Sequence, residues 1–230
     1  MKVFVLGSSG MLGNYVSKYI NNIYPVINID RNDVSVDRVD IEEFLSILLK
    51  KKGFESGDVI VNCIGLIKPQ VDKYGTRAAI LINSLFPHIL ANISEKIGAK
   101  TIHITTDCVW SGSTEQSYTE DMPHDALDVY GKTKSLGEPD NCTVIRTSII
   151  GEEVSNSRSL VEWIKSCKNK TANGFTNHLW NGVTCLELSK YIASLIKEDL
   201  FWYGVKHIYS PTAVTKYELL KIINRIYNLN

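Results

Sequence analysis

The sequence predicts an α/β protein in which helices cover both faces of a parallel sheet, followed by a smaller C-terminal lobe. Two observations support this fold class. Short β-branched runs alternate with helical patterns over roughly the first 150 residues. Two of these runs, Val59–Val61 and Thr101–Ile104, are almost continuously apolar, as expected of strands that are covered on both faces. We therefore predict a first domain at 1–150 and a short lobe at 151–230 that packs on it and can be counted with it as one domain.

The elements of the first domain follow one another as strand and helix. The predicted strands are Val3–Leu6, Val26–Ile29, Asp58–Cys63, Lys100–Thr105 and Thr143–Arg146. The predicted helices are Met11–Asn22, Ile41–Lys51, Tyr74–Ile97 and Val129–Gly137. Asp40 as N-cap, with Glu43 three residues later, predicts a variant capping box at the start of the second helix.

The pattern changes after Arg146, where a loop rich in Gly, Asn and Ser begins. The predicted elements of the lobe are a helix at Ser157–Lys168, a polar stretch at Asn173–Thr184, a helix at Cys185–Lys197, a strand at Val205–Tyr209 and a helix at Lys216–Tyr227. We expect this lobe to lie over the carboxyl ends of the strands, because ligands bind there in open α/β sheets.

The composition is ordinary for a globular chain of 230 residues, with 44% hydrophobic and 22% charged residues. Lys+Arg and Asp+Glu both number 25, so the formal net charge is zero and does not favour nucleic-acid binding. No apolar run approaches the roughly 20 residues of a membrane span, and the short apolar N-terminus differs from a signal peptide. We therefore expect a cytoplasmic protein that binds neither nucleic acid nor membrane.

The cysteines do not predict a disulfide framework. There are five of them, an odd number, and no C-x-x-C pair occurs. The same pattern does not favour a zinc site, so we expect reduced thiols and no metal. The five are Cys63, Cys108, Cys142, Cys167 and Cys185.

A glycine-rich turn joins the first strand to the first helix. Gly7, Gly10 and Gly13 follow a strand and open a helix, which is the context of the dinucleotide-binding turn in Rossmann-type folds. Glycine allows the tight turn and lets the backbone approach a pyrophosphate, whose charge then lies at the helix N-terminus. The glycine pattern alone fits equally well a turn that binds no ligand.

The end of the second strand adds to the cofactor hypothesis. Asp30 and Arg31 follow Gly13 by about 17 residues, where dinucleotide-binding folds place the residue that meets the adenosine ribose. An aspartate would bond ribose hydroxyls, whereas an arginine would bind a 2′-phosphate. The two together leave NADH and NADPH open, with a slight preference for NADPH. The alternative for Arg31 is a solvated loop charge.

Tyr130 and Lys134 are four residues apart and share one face of a predicted helix. The reference pKa of a phenol is near 10, and a nearby ammonium group lowers it. A phenol tuned in this way can protonate a carbonyl oxygen while hydride attacks the carbonyl carbon. A surface pair on a solvated helix is the alternative for these two residues taken alone.

Hydroxyl side chains end the fourth predicted strand, at Thr105 and Thr106 before Asp107. A hydroxyl at this edge faces the crevice and can hydrogen-bond a substrate oxygen. Packing at the strand end would explain a single threonine. The combination of glycine turn, strand-end hydroxyl and Tyr–Lys helix, in this order, predicts a nicotinamide enzyme.

These segments resemble the extended short-chain dehydrogenase/reductase superfamily and, within it, the dTDP-4-dehydrorhamnose reductase-like family of sugar-nucleotide reductases. The resemblance covers about the first 150 residues well, and Trp180–Thr184 more loosely. Its segments are Gly7–Gly13, Val61–Gly65, Ile102–Asp107, Tyr130–Glu138 and Arg146–Ser148.

The resemblance implies NAD(P)H-dependent reduction of the 4-keto group of a nucleotide-linked 4-keto-6-deoxy sugar, in activated deoxysugar biosynthesis. It implies Thr106, Tyr130 and Lys134 as catalytic residues, with Lys134 also anchoring the nicotinamide ribose. The implied cofactor-binding residues are Gly7, Ser9, Gly10, Met11 and Leu12 at the pyrophosphate, Asp30 or Arg31 at the ribose, Asp40 and Ile41 at the adenine, and Cys63, Ile64 and Gly65 along the cofactor, together with Tyr130 and Lys134. Asn83 matches a buried asparagine of these folds.

The lobe departs from this family because full-length relatives continue well past 230 residues. A partner chain, as in a homodimer, would complete it. Some family members bind magnesium through acidic residues at a dimer interface; no such residues are placed in this sequence, so we predict no metal.

The substrate-side residues leave three functions open. Trp110, Trp180 and Asn181 are predicted substrate contacts, although packing explains both tryptophans equally well. Cys108 follows Thr106 by two positions, as a cysteine does in GDP-fucose synthases. The second hypothesis is therefore a bifunctional epimerase/reductase that uses Cys108 and His178. The favoured interpretation is that Cys108 is an ordinary packed residue and His178 an ordinary loop residue. A non-catalytic, cofactor-binding regulatory subunit is the third hypothesis.

Overall fold

The computed structural model describes residues 1–36, 38, 40–114, 116–154 and 158–229. In chain order its strands are β1 (Val3–Leu6), β2 (Val26–Ile29), β3 (Val59–Asn62), β4 (Lys100–Thr106), β5 (Thr143–Thr147), β6 (Ile149–Ile150), β7 (Leu179–Trp180), β8 (Val183–Thr184), β9 (Gly204–His207) and β10 (Val214–Thr215). Its α-helices are α1 (Met11–Ile20), α2 (Ile41–Lys51), α3 (Lys68–Ala79), α4 (Phe86–Ile97), α5 (Val129–Ser135), α6 (Leu160–Ser166), α7 (Cys185–Lys197) and α8 (Lys216–Tyr227). A π-helical turn at Ile80–Leu85 joins α3 to α4, and a 3₁₀ turn at Asp107–Val109 follows β4.

The central sheet has six strands in the order β2-β1-β3-β4-β5-β9, and neighbouring strands are parallel throughout. The order reverses between β1 and β3. Ligands bind outside the carboxyl ends of the strands at such a switch point. The predicted α/β fold with a doubly wound parallel sheet is confirmed.

Side-chain alternation along the strands explains the two helical layers. In β1, Val3 and Val5 point to a core that includes α1 and α7, whereas Phe4 and Leu6 point to a core that includes α2 and α4. Successive strand residues face opposite sides of a sheet, so a strand that is apolar throughout must be covered twice.

The C-terminal part of the chain contributes to both the sheet and a separate cluster. Helices α6 and α8 pack together through Val161, Ile164, Leu219 and Leu220. In contrast, β9 pairs with β5 in the main sheet, and α7 packs against α1. Placing the strand near Val205 in the lobe was therefore wrong. The division into domains at residue 150 stays a prediction.

The single helix predicted at Tyr74–Ile97 was wrong, because the chain forms α3, the π-helical turn and α4 there. Gly75 breaks α3 with φ +83°. Pro87 cannot donate a backbone hydrogen bond to the carbonyl of Asn83, four residues earlier, and this is where the helix widens.

Other helix limits agree more closely. The predictions for α2, α7 and α8 are confirmed to the residue. Helix α6 has Ser159 as its N-cap, while Ser157 of the predicted helix lies outside the described residues. Asp40 is the N-cap of α2, but the predicted capping box was wrong: its carboxylate pairs with Arg38, at 2.6 Å from Nη2, and makes no capping bond.

Gly13 is the position at which the packing of α1 against the turn before it is tightest. A Cβ there would overlap the carbonyl of Gly7, which belongs to the backbone and cannot rotate away. We expect Gly13→Ala to lower the free energy of unfolding by about 1–3 kcal/mol, although alanine is intrinsically favoured in a helix by about 1 kcal/mol. Urea unfolding measures this effect. The exposed Lys18→Ala on the same helix is the control; equal stability of both variants would contradict the overlap.

Candidate active site

The turn between β1 and α1 is shaped for close approach by a ligand. Gly7 adopts φ +79°, and its amide donates to the carbonyl of Ile29 at 2.8 Å. Gly10 is the N-cap of α1, no side chain caps the helix, and its first turn carries no acidic residue. The free amides and the helix dipole at this end fit a pyrophosphate. Ser9 is exposed and Met11 half-buried, while Leu12 is buried in the core.

The end of β2 lies beside this turn, because Ile29 accepts the hydrogen bond from Gly7. The next residue, Asp30, uses one carboxylate oxygen to accept from the Asn32 amide at 2.8 Å. Arg31 is exposed and forms no ion pair with any described residue. Both side chains are therefore placed where a cofactor ribose would lie, and their roles stay predictions.

The predicted adenine residues fit less well. Ile41 is buried in the core that includes α2 and α4, and Asp40 is paired with Arg38. Asp40 is nevertheless exposed, and the adenine roles of both residues stay predictions.

The turn after β3 is held next to the glycine turn. A Cβ at Gly7 would lie 3.1 Å from Cys63 and Ile64. The Asn62 side chain accepts from the Ile64 amide at 3.1 Å and contacts Nδ1 of His103 at 2.9 Å. These bonds place Cys63–Gly65 at the switch point between β1 and β3, where the prediction put the cofactor.

Asn83, in the π-helical turn, fixes the chain just beyond this segment. Its Oδ1 accepts from the Leu66 amide at 2.8 Å, and its Nδ2 donates to the Leu66 carbonyl at 3.0 Å and to the Thr133 hydroxyl at 3.3 Å. One buried amide therefore ties the turn after β3 to α5. The expectation of a buried asparagine at this position is confirmed.

Helix α5 carries Tyr130 and Lys134 and starts at a well-defined cap. Asp128 accepts from the Gly131 amide at 2.7 Å, and its other oxygen pairs with Lys68 at 2.6 Å. Gly131 lies so close to the Cys108 carbonyl that a Cβ would overlap it. This contact brings the helix against the carboxyl end of β4.

Thr106, Tyr130 and Lys134 come together at this end of β4. The Thr106 hydroxyl accepts from the Cys108 amide at 3.2 Å and lies close enough to Tyr130 to act on its pKa. Lys134 is buried, with 5% of the residue exposed, and its ammonium group donates to the Ile104 carbonyl at 3.1 Å. The structure thus places together the three residues that the sequence predicts as catalytic.

The electrostatics differ from the prediction. Burial raises the pKa of Tyr130 well above its usual value, Cys108 adds to this effect, and the Thr106 hydroxyl opposes it. Burial also lowers the pKa of Lys134 to about 8. The prediction that Lys134 lowers the pKa of Tyr130 is therefore wrong for this state, because desolvation of the phenol dominates.

Trp110 is packed rather than open. Tyr118 stacks on its ring with centroids 4.6 Å apart, the Arg146 guanidinium lies 4.6 Å from its centroid, and its indole N–H donates to the Pro123 carbonyl at 3.2 Å. Only 8% of the residue is exposed. Trp110 is therefore poorly placed for the predicted substrate contact, and the half-buried Tyr118 covers it.

A buried charge cluster behind Trp110 was not predicted. Arg146 on β5 pairs with Glu138 at 2.6 Å and donates to Nε2 of His124 at 2.9 Å and Nε2 of His207 at 3.0 Å. Burial lowers the pKa of both histidines, so both can stay neutral and accept these bonds. An arginine in an otherwise buried strand was the signal for such a cluster, since buried charges need partners.

Of the predicted substrate residues in the C-terminal part, Trp180 contacts the same edge. Trp180 donates from its indole N–H to the Ser148 hydroxyl at 2.8 Å, one residue beyond β5. Asn181 and His178 are exposed, and Cys108 is half-buried. Sequence reasoning also missed Lys216, whose ammonium lies 5.2 Å from the Trp180 ring centroid.

Other features of the described chain do not add a site. Within these residues, no group of three or more His, Cys, Asp or Glu side chains could hold a metal ion. None of the helices described is long and apolar enough to cross a membrane. A groove of about 540 Å³ lies where α1 faces α6, and none of the predicted site residues lines it.

A parallel sheet with a glycine turn at its switch point, and with threonine, tyrosine and lysine at the end of β4, has the Rossmann-type architecture of dinucleotide-binding proteins. The chain belongs to the family described as RmlD substrate binding domain, whose model matches residues 1–228.

Two relatives and one solved structure are similar to this chain. The chain is 25% identical to dTDP-4-keto-6-deoxy-D-glucose reductase of Streptomyces niveus, over 96% of this chain and 77% of the relative. It is 24% identical to methionine adenosyltransferase 2 subunit beta of Xenopus laevis, over 99% of this chain and 72% of the relative. The crystal structure of dTDP-4-dehydrorhamnose reductase from Bacillus anthracis in complex with NADP superposes with a TM-score of 0.83 at 21% identity, covering 100% of this chain and 81% of that one.

The pKa of Lys134 predicts how cofactor binding changes with pH. As the pH rises through about 8, the buried amine loses its proton, so its attraction for the cofactor weakens. We expect the dissociation constant of NADPH, measured by fluorescence titration, to rise between about pH 7 and about pH 9.5. Lys134→Met should remove this dependence, whereas Lys132→Met, exposed on the same helix, should keep it. A pH-independent constant for the wild type would contradict the role of Lys134.

Proposed function

We propose that the protein catalyses the NAD(P)H-dependent reduction of the 4-keto group of a nucleotide-linked 4-keto-6-deoxy sugar. The observation that carries the proposal is the meeting of Thr106, Tyr130 and Lys134 beside the glycine turn. Relatives whose names describe this chemistry, such as the Streptomyces niveus reductase, support the substrate class.

The reaction needs a hydride and a proton. A bound nicotinamide cofactor would supply the hydride to the keto carbon. Tyr130 is protonated at neutral pH, and burial further favours this neutral form, so a proton is available for transfer to the keto oxygen. The Thr106 hydroxyl donates to Asp107 Oδ1 at 3.2 Å, and it would redirect this hydrogen bond to the same keto oxygen and so orient the carbonyl. The positive charge of Lys134 stabilises the negative charge that develops as the proton leaves.

NADPH is the cofactor that we propose in preference to NADH. Arg31 is exposed, has no ion pair among the described residues, and can bind a 2′-phosphate. Asp30 has one carboxylate oxygen engaged by the Asn32 amide, which weakens it as an acceptor for ribose hydroxyls. The related reductase from Bacillus anthracis was solved with NADP.

The two other functions are less well supported. An epimerase would need a thiolate at Cys108, but burial and the neighbouring Asp107 raise the pKa of that thiol. A non-catalytic subunit agrees with the name of the Xenopus laevis relative, whereas the assembled Thr106, Tyr130 and Lys134 argue for turnover. Oxidation of NADPH with a panel of keto-sugar nucleotides distinguishes an enzyme from a non-catalytic subunit.

A cytoplasmic location and a homodimer belong to the same proposal. All five cysteines have free thiols, which is the usual state in a reducing compartment. We propose a homodimer in which a partner subunit supplies further substrate contacts.

Tyr130→Phe tests the proposed proton donor directly. We expect kcat/KM for the keto sugar to fall by about 10²–10⁴-fold, because the variant has no proton to give. Thr106→Val should reduce it in the same direction. Binding of NADPH should change little in Thr106→Val, because Thr106 is not among the implied cofactor contacts. Tyr203→Phe, at an exposed position, is the control. Wild-type turnover by Tyr130→Phe would rule out the mechanism.

Arg31→Ala tests the cofactor preference. Loss of charge-assisted hydrogen bonds to a 2′-phosphate should raise the dissociation constant of NADPH by about tenfold to a hundredfold. The constant for NADH should stay the same, since NADH has no 2′-phosphate. Arg77→Ala, exposed on α3, is the matched control. An equal loss for both cofactors would contradict phosphate recognition by Arg31.

A further inference from the structure

Lys216 is a half-buried cation whose charge has no fixed partner in the described structure. It is the first residue of α8, and its backbone amide donates to the His178 carbonyl at 2.9 Å. Across the described residues, no carboxylate pairs with its ammonium group and no oxygen accepts a hydrogen bond from it. An ammonium group that is partly withdrawn from water and left without acceptors is costly, so a bound acceptor would offset that cost.

The surroundings of Lys216 link it to the catalytic edge of the sheet. Its ammonium lies 5.2 Å from the centroid of Trp180, and Trp180 bonds Ser148 at 2.8 Å. Ser148 follows Thr147, the residue that pairs with Thr106 across β4 and β5. Lys216 therefore lies on the substrate side of the catalytic threonine.

Asp107 and Cys108 are near enough to act on Lys216 electrostatically. Burial lowers the pKa of the amine, and these two groups oppose the shift. Lys216 therefore lies near Asp107 and Cys108, on an element that does not carry the catalytic residues.

Three other cations near this edge, among the residues that the structure describes, already have partners. Lys68 pairs with Asp128 at 2.6 Å, and Lys134 donates to the Ile104 carbonyl at 3.1 Å. Arg146 is paired with Glu138 behind Trp110. A substrate that carries a diphosphate needs a counter-charge in the cleft, and Lys216 remains available for it.

We propose that Lys216 is a substrate-binding residue whose ammonium group holds the diphosphate of the sugar nucleotide. The identity of the ligand rests on the proposed function, while the anion site itself rests on the geometry around Trp180 and Ser148. Because the diphosphate does not change during the reaction, this contact contributes to binding in the ground state and in the transition state alike. Its loss should raise KM and leave kcat nearly unchanged.

Lys216→Met tests the charge while it keeps the length of the side chain. Lys221→Met is the matched control, because Lys221 lies on the same helix with its ammonium 5.4 Å from the ring centroid of Tyr217. We expect KM for the keto-sugar nucleotide to rise about tenfold or more in Lys216→Met, with kcat within about twofold of the wild type. Lys216→Arg should restore most of the affinity.

Calorimetry separates the diphosphate from the rest of the ligand. Thymidine, uridine and guanosine diphosphates are titrated into wild type and both variants, and the tightest binder is compared with its nucleoside. We expect Lys216→Met to weaken the diphosphate about tenfold or more and the nucleoside hardly at all. Equal weakening of both, a loss no greater than in Lys221→Met, or a wild type that binds none of the diphosphates would overturn the assignment.

The two proposals fail in different ways. If the wild type binds a nucleoside diphosphate through Lys216 but reduces no keto-sugar nucleotide, the anion site stands and the proposed reaction fails. If the wild type reduces the keto sugar and Lys216→Met binds the diphosphate normally, the reaction stands and Lys216 only packs on Trp180.

Discussion

The position of the phenol depends on how closely α5 approaches its two neighbours. At its first turn, Gly131 lies against the Cys108 carbonyl; beyond its end, Gly137 lies against the Asn83 carbonyl. A side chain at either glycine would overlap backbone and push the helix outwards. Since Tyr130 and Lys134 both project from this helix, the same two contacts decide whether they reach Thr106 and the Ile104 carbonyl.

Burial determines the protonation states of Tyr130 and Lys134. Desolvation favours the neutral forms of both groups, so the phenol holds its proton and the amine titrates near pH 8. A resting phenol that is fully protonated suits a reductase, which must deliver a proton rather than accept one. In the proposed mechanism the lysine charge would matter most when negative charge develops on the phenol oxygen, where a cation fixed in advance costs no reorganisation. The spacing of Tyr130 and Lys134 predicts which two groups meet. It does not predict whether burial or the neighbouring charge has the larger effect on their pKa values.

Local patterns were enough to predict the parts of the site that lie next to one another in the chain. The glycine turn and the Tyr130–Lys134 spacing depend only on short stretches, and the structure places both as expected. Features that depend on distant partners were missed. The strand β9 pairs with β5 across about 60 residues, so nothing near Val205 distinguishes a sheet strand from a lobe strand. The sequence left substrate contact and packing equally open for Trp110, because Arg146, which covers its ring, is also distant in sequence.

The substrate side is attached to the same sheet that positions the catalytic residues. Backbone amides of Val183 and Ile208 donate to the carbonyls of Ser148 and Arg146, at 2.9 and 3.0 Å. The strand β9 thus extends the hydrogen bonding of β5 into the segment that leads towards Lys216. A ligand bound between Lys216 and Thr106 would contact two parts of one hydrogen-bonded framework. It would not lie between two domains that a hinge connects. Discrimination between sugars would then follow from fixed distances, since strands packed on both faces resist the shifts that a hinged lobe allows.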